Sequence, residues 1–157
     1  MASENNKRLQ QSLAPALKQR GFKKSGATWR KESSEAIGVL NLQGSQWGPS
    51  FYINLGVYFH ALGDRDQPTE YHCHVRTRLC ELVPDRERLN ALLDFEKPVQ
   101  ENVRVQELET LVVDHGLPWL DTVSTIDGAR EYSSSQAQKS PWVTKEARAF
   151  LEAAHGA

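Results

Sequence analysis

From residue 51 to residue 60 the chain alternates without interruption: Phe51, Ile53, Leu55, Val57 and Phe59 share one side, and Tyr52, Asn54, Gly56, Tyr58 and His60 the other. Successive side chains of a β-strand project to opposite faces of a sheet, so this pattern predicts a strand with one buried face. Such a strand needs neighbours and an apolar layer to cover its greasy side. Residues 27–31, around Trp29, and residues 37–43 read as further strands, and 44–50, with Gly48-Pro49, as the turn into the Phe51 strand. After a polar, turn-rich stretch at 61–69, Tyr71, Cys73 and Val75 alternate with His72, His74 and Arg76, which predicts a fourth strand.

The covering layer is helical. Leu9, Leu13 and Leu17 recur at four-residue spacing, with Ser3 placed as an N-cap, Gly21 as a left-handed C-cap and Phe22 folding back onto Leu17. Pro15 predicts a kink or a fresh start in that helix, because it removes a backbone donor. Beyond Pro84 helical spacing takes over: Leu89, Leu92 and Leu93, then Val105, Leu108, Leu111 and Val112, with Gly116 as the stop. Ser124 is the expected cap of a short helix reaching Tyr132, residues 133–140 read as a solvated connector, and Val143, Ala147, Phe150 and Leu151 predict a terminal helix. The expected fold is α+β: an antiparallel sheet of about four strands, helices packed mainly on one face, an N-terminal helix and a helical C-terminal half.

At 157 residues one domain suffices, with 1–132 as its core and 133–157 as connector and terminal helix. A formal net charge of -1 gives no global attraction to nucleic acid or anionic membrane. The N-terminus lacks a signal-peptide core and no run approaches the roughly 18 apolar residues of a membrane helix, so a cytoplasmic location is expected. Cys73 and Cys80 match neither a metal motif nor a secreted disulfide framework and read as reduced thiols.

Aligning the apolar sides of the strands sets Phe59 near Tyr71, Tyr58 beside His72, Gly56 beside His74, Asn54 beside Arg76 and Tyr52 beside Arg78, with Asn41 beside Tyr52 across the preceding hairpin. One face then gathers Leu40, Leu42, Phe51, Ile53, Leu55, Val57 and Val75. The other carries Asn41, Gln43, Tyr52, Asn54, Tyr58, His72, His74, Arg76 and Arg78, with Gln46 and Trp47 at its rim. Arginine and tyrosine dominate binding energy at protein interfaces, so Asn41, Gln43, Trp47, Tyr52, Asn54, Tyr58, Arg76 and Arg78 form the candidate binding surface. A one-sided antiparallel sheet also places polar groups toward water without any partner. Trp47 is either an exposed anchor or a closure of the core, and for a large indole closure is the expected role, as for Trp29, Trp119 and Trp142.

His60, His72 and His74 are the alternative site, a metal-dependent hydrolase in which three imidazoles hold a water-activating ion. The aligned register opposes Gly56, not His60, to His74, and half-exposed strands carry histidines without ligands. Cys73 is expected to point away from His72 and His74 into the core, which disfavours a thiol nucleophile. The 44–49 loop lacks both the Walker lysine and the Gly-x-Gly-x-x-Gly pattern, so no cofactor is expected. Single-stranded nucleic-acid binding through Tyr52, Tyr58 and the arginines is the weakest alternative, given the acidic balance and the lack of basic clusters.

Gly21-Phe22-Lys23-Lys24, the block from Asn41-Leu42-Gln43-Gly44 through Trp47-Gly48 to Phe51-Tyr52-Ile53-Asn54-Leu55-Gly56-Val57, Arg78-Leu79, and Gly116-Leu117-Pro118-Trp119-Leu120 together resemble the bacterial domain-of-unknown-function family 4304, from the first helix to about Ile126. The resemblance implies a bacterial, intracellular, single-domain protein and brings no activity, cofactor or catalytic residue with it. The resulting expectation is a non-catalytic protein-binding module, of immunity or accessory type by analogy with other small bacterial domains. Another protein is its expected partner, with no membrane role.

Overall fold

The computed structural model describes residues 3–136 and 142–156. Helix α1 (Glu4–Gln19) precedes a five-stranded antiparallel sheet whose strands β1 (Lys23–Ser25), β2 (Thr28–Glu32), β3 (Ala36–Gly44), β4 (Phe51–Phe59) and β5 (Val75–Arg78) lie side by side in chain order. Helices α2 (Arg86–Leu92), α3 (Glu101–Leu111), α4 (Leu117–Val123), α5 (Ile126–Gln136) and α6 (Lys145–Gly156) make up the C-terminal half. This is the expected α+β layout with one more strand. The extra strand, β1, carries no apolar alternation and exists because Gly26, at φ 61°, turns the chain back onto β2.

The termini of α1 follow its sequence. The Ser3 hydroxyl accepts a hydrogen bond from the Asn6 N–H at 3.1 Å, and after Gly21, at φ 90°, the Phe22 N–H donates to the Leu17 carbonyl at 3.0 Å. Pro15, however, does not break the helix. It sits on the exposed side, where water can serve the carbonyl it leaves without a donor, while Leu9, Leu13, Ala16 and Leu17 bury the opposite face.

The inner face of the sheet is the apolar one expected. Leu40, Leu42, Phe51, Ile53, Leu55, Val57, Phe59 and Val75 join one core with Leu9, Leu13 and Leu17 of α1, Leu89 of α2, Leu108 of α3, and Leu120 and Val123 of α4. Each fully buried leucine contributes about 1.5–3 kcal/mol relative to exposure. Gly116 does not stop the helical run before it. The backbone passes from α3 through a π-helical turn, Val112–Gly116, directly into α4. A Cβ on Gly116 would lie 3.2 Å from the Leu79 Cδ1 and 3.6 Å from the Leu55 Cδ1, so this glycine lets the helical layer approach the sheet.

Two other helical expectations shift. Thr125, not Ser124, caps α5, its hydroxyl accepting from the Gly128 N–H at 3.0 Å, and the helix runs to Gln136 with Ser133 buried. Part of the expected connector is therefore helical, and the rest of it, 137–140, lies outside the described residues. A buried arginine, Arg104 of α3, had no signal in the sequence beyond its place in an apolar row. Its guanidinium donates to the Ala91, Leu92, Asp94 and Lys97 carbonyls, closing the end of α2, and stacks 4.3 Å from the Phe95 ring centroid.

The outer edge of β5 is occupied by the chain itself. Val143 bridges Val75, the Arg76 N–H donates to the Trp142 carbonyl at 3.0 Å, and the Thr144 N–H donates to the His74 carbonyl at 2.9 Å. No helix among the described residues is long and apolar enough to cross a membrane.

Candidate functional site

Strand register fixes what stands beside what on the outer face. Asn41 pairs with Asn54 and Gln43 with Tyr52, while Asn54 pairs with Arg78 and Gly56 with Arg76. Both ladders are displaced by two residues from the expected register, which had set Asn41 beside Tyr52 and Asn54 beside Arg76. A two-residue displacement leaves every side chain on its face, so the candidate residues remain together. The displacement at β5 has a local cause: Glu70–His72 forms a 3-10 turn, and the strand begins only at Val75.

That turn also corrects the picture of an open face. Counted along β3 and β4, four rungs point outward: Ile37 with Tyr58, Val39 with Gly56, Asn41 with Asn54, and Gln43 with Tyr52. Residues 60–74 fold over the first two. Ile37, Val39, Tyr58 and Cys73 form a second, small apolar cluster there. Cys73 does not enter the main core: it packs on the opposite side of the sheet, so close to Gly56 that a Cβ at 56 would stand 2.7 Å from the Cys73 Cβ. Burial pushes its thiol well above the ordinary cysteine range, and Glu70 adds to that rise. Tyr58 is buried, its hydroxyl accepting from the Arg65 N–H at 3.3 Å, and is lost to the candidate surface. Arg30 ties the cover down from β2, its Nε donating to the Pro68 carbonyl at 2.8 Å.

The three histidines do not converge. His60 lies in the 3-10 turn after β4, its Nε2 3.1 Å from the Ser33 carbonyl. The His72 Nδ1 accepts from the Thr69 N–H at 3.2 Å, and the His74 Nδ1 from the Phe59 N–H at 3.0 Å. Among the described residues no His, Cys, Asp and Glu side chains group as a metal site. His74 is buried rather than outward, with Nε2 facing Glu146 of α6 at 3.4 Å. Desolvation holds its imidazole below the ordinary histidine value, against the opposing pull of Glu146.

The other two rungs lie beyond this cover and are wired together, with Gln43 exposed, Asn41 and Tyr52 half-buried and Asn54 buried. Asn54 is the hub: its Nδ2 donates to the Asn41 Oδ1 at 3.2 Å and the Gln43 Oε1 at 2.8 Å, while its Oδ1 accepts from the Arg78 Nε at 3.1 Å. Asn41 in turn donates to the Thr28 hydroxyl at 3.0 Å. The Arg78 guanidinium lies 4.2 Å from the Tyr52 ring centroid, within cation–π range. Arg76, at the boundary with the covered half, gives its Nε to the Glu70 carboxylate at 2.8 Å and lies 5.2 Å from the Trp142 ring centroid. Among the described residues Arg78 has no carboxylate within ion-pair distance, in contrast to Arg76. Glu70, Thr28 and Trp142 were not foreseen as neighbours of this face, since each comes from a turn, a short strand or an edge segment.

A cleft of about 40 Å³ opens between the arginines, lined by Gln43, Asn54, Glu70, Arg76, Thr77, Arg78 and Trp142. It holds a few water-sized groups and is far below the roughly 300 Å³ of a small-molecule pocket. Beyond Gln43 and Tyr52, Trp47 stands at the tip of the β3–β4 hairpin, 87% exposed. It does not close the core as expected. Its N–H donates to the Ser45 hydroxyl, which shapes the tip, while the ring meets solvent. The family model described as Domain of unknown function (DUF4304) matches residues 13–122, well over half of the chain. The chain belongs to that family. The DUF4304 match begins within α1 and ends in α4, so it contains every outward residue from Thr28 to Arg78 but neither Trp142 nor Glu146. No curated protein and no solved structure matches the chain.

Proposed function

We propose that the protein is a non-catalytic binding module of the bacterial cytoplasm that engages another protein through the open half of its outer sheet face and the Trp47 hairpin. The observation that carries this reading is the pairing of a fully projecting indole, Trp47, with an arginine already held in place by Asn54 and Tyr52. Tryptophan, tyrosine and arginine supply most hot-spot energy, and an arginine ordered before binding loses less entropy on docking. The cleft is too small for a metabolite, and the histidines face separate backbone groups, which leaves the hydrolase alternative without support. An immunity or accessory role belongs to the same reading.

The test is affinity capture from the native host with the wild-type protein and a Trp47→Ala/Arg78→Glu variant. A partner retained in fixed stoichiometry by the wild type and lost by the variant, with unchanged circular dichroism, is expected. Equal retention by both proteins removes this face from the function.

A further inference from the structure

We infer that the cleft between Arg76 and Arg78 receives a single acidic side chain, aspartate or glutamate, projecting from the partner protein. This rests on the protein-binding reading above and names what that face recognises. The argument is one of charge and shape. Two guanidinium groups, Arg76 and Arg78, line the cleft with one carboxylate, Glu70, which already spends itself on the Arg76 Nε at 2.8 Å. One positive charge is left over, and it sits on Arg78.

Arg78 is also aimed. Its Nε is committed to the Asn54 Oδ1 at 3.1 Å, and its plane is placed 4.2 Å from the Tyr52 ring centroid. That leaves its terminal nitrogens as donors for an outside group. Asn54 itself is 3% exposed and has both amide hydrogens engaged by Asn41 and Gln43, so the oxygen that orients Arg78 cannot turn away. A planar carboxylate matches a guanidinium edge, and its three heavy atoms fit a space of about 40 Å³. A nucleobase or sugar does not fit. A phosphate group brings five heavy atoms into the same small space, against three for a carboxylate.

The test uses the full chain and a capped peptide bearing one central glutamate, with the glutamine version of the same peptide and inorganic phosphate as comparisons. The readout is the Arg78 side-chain Nε–Hε signal in proton–nitrogen NMR spectra. Expected are a saturable shift with the glutamate peptide, no shift with the glutamine peptide, and, followed through the backbone amide signals of residues 76–78, binding at least about tenfold weaker for Arg78→Gln, the loss of a charge-assisted hydrogen bond. Two results overturn the inference: equal response to glutamine, or saturation by phosphate at lower concentration than by the glutamate peptide. If the peptide leaves Arg78 unmoved while the Trp47→Ala/Arg78→Glu variant still loses its protein partner, carboxylate recognition fails alone. If that variant retains the partner as well, the protein-binding reading falls with it.

Discussion

On the outer face of the sheet, the rungs Ile37/Tyr58 and Val39/Gly56 lie dry beneath residues 60–74, whereas Asn41/Asn54 and Gln43/Tyr52 lie beyond that cover, where Asn41, Gln43 and Tyr52 reach solvent. The covered half is apolar and needs a glycine at its centre, because the Cys73 side chain occupies the room a Cβ would take. The open half is polar and stitched by side-chain hydrogen bonds around Asn54. The first half is held by apolar packing and the second by hydrogen bonds between polar side chains, with the Arg76–Glu70 pair marking the border.

The sharpest way to break this contrast is to change the size of one side chain in each half. Gly56→Val drives a branched side chain into Cys73 and is expected to lower unfolding free energy by about 3 kcal/mol, the upper range for overpacking. Gln43→Ala, outside the cover, removes one acceptor of the Asn54 amide and is expected to cost about 1 kcal/mol. Urea unfolding of the two variants measures both, and equal losses would erase the distinction.

A middle-sized effect is expected at the hub. Asn54→Leu strips a buried amide from three partners that can all turn to water, so a loss of about 1–2 kcal/mol is expected. Its second signature is more telling: with its anchor gone, the Arg78 Nε–Hε signal should collapse to the position of a solvated arginine. Should that signal stay put, Asn54 does not orient Arg78.

The smallest effect is a slope. His74 belongs to the covered half, its ring tilted against that of Tyr58 with the centroids 4.7 Å apart, and its folded-state basicity is lowered chiefly by burial. Between the folded and unfolded values the unfolded chain binds more protons, so stability rises with pH there. The His74 contribution is complete above its unfolded value of about 6.5 and declines as pH falls below it toward the lower folded value. Comparing wild type with His74→Asn by urea unfolding between about pH 5.5 and 7.5 should show the steeper acid loss in the wild type. Parallel curves would remove His74 from the acid response.

Much of the fold was legible because periodicity survives errors of alignment. Both hairpin registers were displaced by two residues, yet every inner and outer assignment along β3 and β4 held, since only an odd displacement exchanges faces. The cover over half of the outer face was not foreseen, although two signals were present. Ile37 and Val39 lie on the polar side of β3 and make its first five residues continuously buried, the mark of a strand covered on both faces. Gly56 interrupts a strand with no side chain, the mark of a close approach. Cys73 misled because alternation was extended through residues that form a turn. The exposure of Trp47 had no counterpart in local pattern, and the burial of Arg104 none beyond its place in an apolar row, because its acceptors are carbonyls 7 to 13 residues back along the chain.

The segment around Val143 that lies along β5 changes how this sheet can meet other chains. One margin is already paired, and the other ends in a three-residue strand bearing Lys23 and Lys24, too short and too charged to template a newcomer. Polymerisation by stacking backbone on backbone is thereby discouraged at both flanks. Any contact with a neighbour is left chiefly to side chains, whose chemistry differs from residue to residue where a backbone's does not.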